Sequence, residues 1–165
     1  MTTQAISPRR RLGRRVIMGL IALWLAFQIL VPMRHHLYPG DTSWTELGHR
    51  FAWQMKLRDK RARAEFVVHD PATGQQYKVN MLRHLTPRQI SKMTPRPDMI
   101  LQFAHHLADL ARARGIENPE VRVTVLASLN GRPYDYLIDP SVDLAAVPRD
   151  LGNADWIMPL VSEMP

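Results

Sequence analysis

The chain has 165 residues, enough for one modest domain, with no cysteine and a net charge of +7. The missing cysteines exclude a disulfide framework and a thiolate metal site. The charge does not point to nucleic acid: Arg9, Arg10, Arg11, Arg14 and Arg15 all precede residue 16, leaving 17 basic against 15 acidic residues, a net +2, in the remainder, whereas a DNA- or RNA-binding face concentrates its charge in the folded part.

Residues 1–15 read as a basic cytoplasmic tail. Residues 16–33, VIMGLIALWLAFQILVPM, contain no charged side chain and reach about 27 Å as a helix, just enough to cross a hydrocarbon core. Pro32 suits the exit from that helix. Five arginines flank it on the N-terminal side and Arg34 alone lies close on the other, so the positive-inside rule places the N-terminus in the cytoplasm and the rest outside. The apolar run is longer than a signal-peptide core and VPMRHH offers no small-x-small site, which favours an uncleaved single-pass anchor.

Residues 34–50 read as a linker, in which Tyr38 and Trp44 either settle at headgroup level or pack on the domain. The folded part is expected over 51–165. FAWQMKLRD alternates Phe51, Trp53, Met55 and Leu57 on one face and predicts a half-buried strand. AEFVVHD predicts a second strand, PATG a turn and QQYKVN a third strand, together an antiparallel meander. Thr86 before Pro87 reads as a helix N-cap. A longer helix is predicted from about Pro97 and Asp98 to Gly115, with Met99, Ile100, Phe103, Leu107, Leu110 and Ala111 as its buried stripe.

VRVTVLASL alternates again, and Asn130-Gly131 is the strongest short hairpin signal, since both central residues of a type I′ turn need positive φ. RPYDYLI returns, and Pro133 places it at a sheet edge or makes it bulged near its start. The expected fold is α+β: one N-terminal transmembrane helix followed by an antiparallel-sheet domain with one or two packed helices.

Candidate chemistry is sparse. The histidine pairs His35-His36 and His105-His106 are adjacent, so neither pair chelates from one helix face, and metal ligation is not expected. Asp135, Asp139 and Asp143 do not follow a calcium loop; Asp139-Pro140 reads as a strand end with a capped turn. Ser128 and Ser141 have no evident base, and no nucleophile-elbow, phosphate-loop or dinucleotide pattern occurs.

Four segments in order, FAWQMKL, DMILQFAHHL, VTVLASLNGRPYDYLIDPSVDLA and DWIMPL, resemble the C-terminal lumenal region of vitamin K-dependent gamma-glutamyl carboxylases and their bacterial, HTTM-type relatives. The matching positions include Trp53, Met55, Asp98, Met99, Gln102, Phe103, Asn130, Ile138, Asp139, Pro140, Val142, Asp143, Trp156, Pro159 and Leu160. In that family a multi-helix membrane domain precedes this region and uses a reduced quinone to carboxylate glutamate. The resemblance therefore implies a lumenal domain without that catalytic bundle, which would need a separate polytopic carboxylase-like protein for activity. A reduced vitamin K-type quinone would then belong to the complex and not to this chain alone. The family also uses its lumenal domain to hold substrate polypeptide. Leu144, Val147, Trp156, Ile157 and Leu160 are the expected apolar contacts for that role, while Trp53, Met55, Asp98, Gln102, Asn130, Asp139, Pro140 and Asp143 are expected to be structural. A stand-alone anchored binding or structural domain without carboxylase chemistry is the alternative.

Overall fold

The computed structural model describes residues 8–38, 40–48, 59–149 and 154–161. The predicted strand over 51–59, with Trp53 and Met55, lies outside the described residues apart from Asp59.

Helix α1 runs from Pro8 to Met33. It starts ahead of the apolar stretch and takes Pro32 into its last turn, where the missing N–H and the ring let the helix continue only one residue further. The large apolar side chains from Val16 to Leu30 are exposed. An apolar cylinder of this size exceeds what a water-facing surface tolerates. Within Gly13–Leu37 the most apolar 18 residues have a mean hydropathy of 2.3, and the segment has the length and composition to cross a membrane, which fits a membrane anchor. A 3-10 turn, Arg34–Leu37, follows, then the short helix α2, Thr42–Thr45.

The domain is built on four antiparallel strands, β1 (Lys60–His69), β2 (Gln76–Lys78), β3 (Glu120–Leu129) and β4 (Asp135–Ile138), in the order β2-β1-β3-β4. The expected hairpin between the second and third strands is β1–β2. Strand β1, however, starts at Lys60 and not near Ala64, and it pairs with β3 along its whole length, from Lys60↔Leu129 to His69↔Glu120. The run Lys60-Arg61-Ala62-Arg63 has little strand propensity of its own. Pairing carries it, with Arg61, Arg63 and Glu65 in solvent and Ala62 and Ala64 half-buried.

Between β2 and β3 come a 3-10 turn (Met81–Arg83), α3 (Pro87–Met93) and α4 (Pro97–Ala113). Thr86 caps α3 as expected and completes a capping box with Gln89. Helix α4 covers one face of the sheet. Phe66 and Val68 of β1 and the alternating Val121, Val123, Val125, Ala127 and Leu129 of β3 are buried with Ile100, Phe103, Leu107 and Ala111. Phe66 and Phe103 meet edge to face, centroids 5.1 Å apart. The buried stripe is rotated from the expected one: Leu101, Ala104 and Ala108 are buried, while Met99 and Leu110 sit at its margin. Ala104 and Ala108 are fully buried in the core that the helix shares with the sheet.

The hairpin turn is as predicted, with φ of 54° at Asn130 and 81° at Gly131 and an Arg132 N–H to Leu129 carbonyl bond of 3.1 Å. Strand β4 lies at the edge, one of the two outcomes expected from Pro133, but it starts only at Asp135 and leaves Pro133 outside the ladder. Val125 pairs with Ile138 but Leu126 with Tyr136, so Leu137 is an inserted residue, and the bulge falls at the far end of the strand. The bulge breaks the alternation, and the neighbours Leu137 and Ile138 are both buried. The architecture is the expected α+β domain on a candidate membrane helix.

Candidate functional site

The residues expected to meet a polypeptide lie in a strap that follows β4 and returns along its free edge. Its first part begins with Asp139, whose carboxylate accepts the Ser141 N–H (2.8 Å) and the Ser141 hydroxyl (2.7 Å). Those bonds stabilise the charged form and hold the Asp139 carboxyl below its ordinary range. Asp143 ties the strap to the start of β3: its Oδ1 accepts the N–H of Val121 at 2.7 Å and of Ala145 at 2.9 Å. The Leu144 N–H donates to the Val121 carbonyl at 2.8 Å. Further on, Nε2 of His105 in α4 lies 2.8 Å from the Val147 carbonyl.

The second part, residues 154–161, returns beside β4. Ile138 and Ile157 form an isolated antiparallel bridge. The Asp139 N–H donates to the Trp156 carbonyl and the Met158 N–H to the Leu137 carbonyl, both at 3.0 Å. The Val161 N–H reaches the Asp135 carboxylate at 3.2 Å. Backbone groups that an edge strand would leave open are thereby paired within the chain.

Trp44 locks this strap to α2, the short helix that follows the candidate membrane helix. It is 1% exposed, and its indole N–H donates to the Met158 carbonyl at 2.8 Å. The Lys60 ammonium donates to the Trp44 carbonyl and stands 5.1 Å from the centre of its ring. Glu46 and Arg96 approach to 3.8 Å. Of the two places open to Trp44 in the sequence, the domain core is the one it takes; Tyr38 is half-buried.

The strap divides the five expected contact residues. Leu144 (0% exposed) and Ile157 (8%) are part of the core. Val147, Trp156 and Leu160 are only partly buried and pack on that core from outside, so they keep surface that a ligand can reach. Among the family positions, Asp98 sits in the first turn of α4, where its carboxylate accepts the Met99 N–H and its charge suits the helix dipole. Gln102 is exposed on the same helix. Asn130 extends the β1–β3 ladder by one residue: its side chain accepts the Asp59 N–H and its own N–H donates to the Asp59 carbonyl, both at 2.8 Å.

The serines expected to lack a base are both engaged in local hydrogen bonds. Ser141 faces a carboxylate, but one held below its ordinary pKa is a poor base, and Ser128 donates to the Arg132 carbonyl at 2.6 Å. Among the described residues no three histidine, aspartate or glutamate side chains converge as a metal site. His105 and His106 diverge, the first to Val147 and the second towards His84, centroids 6.1 Å apart. A quinone does not fit α1: no side chain from 16 to 33 is ionisable, and its large apolar side chains face outward. Sequence reasoning missed the role of Trp44, because its partner Met158 is 114 residues away and no local pattern links them.

The family model for the vitamin K-dependent gamma-carboxylase lumenal domain matches residues 13–163. No solved structure matches the chain.

Proposed function

The chain belongs to the vitamin K-dependent gamma-carboxylase lumenal-domain family, and from that membership we propose that it is an anchored accessory or split subunit. In this reading it holds substrate polypeptide for a carboxylation site carried by the helices of a separate polytopic protein, of the kind found in bacterial, HTTM-type relatives. The observation that carries the reading is the chemistry of the apolar stretch within the matched range. The match runs over residues 13–163 and takes in the apolar stretch 16–33, which contains no acid or base. One helix cannot enclose a reactive quinone, and carboxylation needs a dry pocket with a tuned base. The reduced quinone would therefore be held by the other subunit. The arginine cluster ahead of residue 16 supports a cytoplasmic N-terminus with an extracytoplasmic, periplasmic domain, and the one candidate span among the described residues supports a single pass.

Val147, Trp156 and Leu160 are the surface on which the substrate polypeptide would rest, with Leu144 and Ile157 supporting them from the core. An aromatic anchor over a rigid sheet edge is the kind of site at which a peptide gains most of its affinity. A second reading, a stand-alone binding or structural domain, draws on the domain's own hydrophobic core. Purification of the tagged chain from native membranes in mild detergent separates the two. Recovery of a stoichiometric polytopic protein, with carbon dioxide incorporation into glutamyl peptide only when both are present, is the expected result. A chain that always purifies alone, yet is stabilised by peptide, supports the second reading. Incorporation by the pure chain would overturn both.

A further inference from the structure

A concavity lies beside the end of β1. An open cleft of about 710 Å³ runs between β2, the 3-10 turn Met81–Arg83 and the C-terminal half of α4. Its floor is apolar, with Val68, Leu107 and Ala111. Its rim is cationic: Lys78, Arg83, His84 and Arg114 line it, and no carboxylate does. Lys78 is bridged to Glu65 at 2.7 Å, but Arg83 and Arg114 have no ion-pair partner among the described residues.

His84 registers the resulting field. It lies against Phe103 and faces His106. Its pKa is lowered first by burial and then by the positive charges of His106, Arg114 and Arg83. Converging cations around an apolar floor repel one another, and an anionic ligand relieves that repulsion.

The position selects among anions. The membrane-proximal segment docks at the starts of β1 and α4, through Lys60 and Arg96. The cleft lies at the far ends of both elements, and α4 spans 17 residues, roughly 25 Å of helix. An anionic lipid headgroup would be met at the near end, so a soluble chain is favoured. We propose that this cleft binds an acidic segment of polypeptide, one carboxylate meeting Arg83 and Arg114 while a neighbouring apolar side chain enters the floor beside Val68 and Leu107. The proposal does not depend on carboxylation or on the surface around Trp156.

The test uses the full chain in nanodiscs of zwitterionic lipid and a short fluorescein-labelled peptide alternating glutamate and leucine, read by anisotropy. The expected result is binding that falls at least about tenfold in R83Q/R114Q, as loss of two charge-assisted bonds implies. It should fall likewise for a peptide with glutamine in place of glutamate, and weaken with salt. R83K/R114K should retain most of the affinity, which separates lost charge from lost fold. Equal affinity of the wild type and R83Q/R114Q would overturn the proposal. Displacement of the peptide by phosphatidylserine vesicles would overturn it in favour of a lipid site.

Discussion

Asp139 and Asp143 carry the same side chain four residues apart, and the structure gives them different burdens. Asp143 holds two backbone N–H groups, one of them at the start of a buried strand. Asp143→Ala should therefore cost about 1–3 kcal/mol, the penalty of leaving such donors unmet. Asp143→Asn keeps an acceptor oxygen and should cost less; urea unfolding of both variants checks the order. Asp139 is only partly buried and acts within its own turn. Its folded pKa lies below its unfolded value of about 3.8, so its contribution is present above that pH and is lost as pH falls through the folded pKa. Wild type and Asp139→Asn should accordingly converge in stability in strong acid and separate near neutrality. His84 runs the other way, because its neutral form is favoured in the folded state. Below about pH 6.5 the unfolded chain takes up this proton first. Melting curves should show stability falling as the pH is lowered from 6.5 towards the depressed folded pKa, and His84→Gln should remove that part of the slope.

At the scale of elements, punctuation was legible and packing was not. Thr86-Pro87, Pro97 and Asn130-Gly131 were readable because caps and tight turns act over three or four residues. The α+β order and the edge position of β4 follow from the same local signals. The N-terminal half of β1 was not readable, because Arg61 and Arg63 face solvent and only β3, some sixty residues on, makes them a strand. The rotation of α4 depends on the sheet that it meets, which the helix's own periodicity does not contain. For the site, the acidic run was legible as strand closure, since aspartate and proline act locally there. Which of the five apolar residues stay reachable depends on the returning strap, which no spacing announces.

The end of α4 makes a further prediction at this scale. Gly115 adopts a φ of 94° and closes a Schellman motif, with Gly115 N–H to Arg112 and Ile116 N–H to Ala111. Gly115→Ala should cost about 1 kcal/mol or more, since alanine is strained at positive φ. It should also loosen Ile116, which lines the cationic cleft. Lower thermal stability with weaker binding of the acidic peptide checks both parts.

For the molecule as a whole, the question is whether α1 merely tethers the domain or is joined to it. Trp44 answers for a joint. It is buried in the same core as Phe66 and Leu144, bonded to the strap and to Lys60, so the short helix α2 that follows the candidate membrane helix is part of the fold. Emptying that position by Trp44→Ala should cost about 3–5 kcal/mol. Trp44→Phe should cost less, losing the bond to Met158 and part of the volume. The same physics predicts where the anchor can be cut. A chain of residues 40–165 retains the tryptophan and should melt near the full-length protein. A chain of residues 59–165 loses it and should melt lower by roughly 10 °C, the shift expected for a few kcal/mol in a domain of this size. Equal melting of the two truncated chains would mean that the membrane-proximal segment only leans on the domain. The anchor would then be free to swing, and it could not hold the surface around Trp156 in a fixed orientation toward the bilayer.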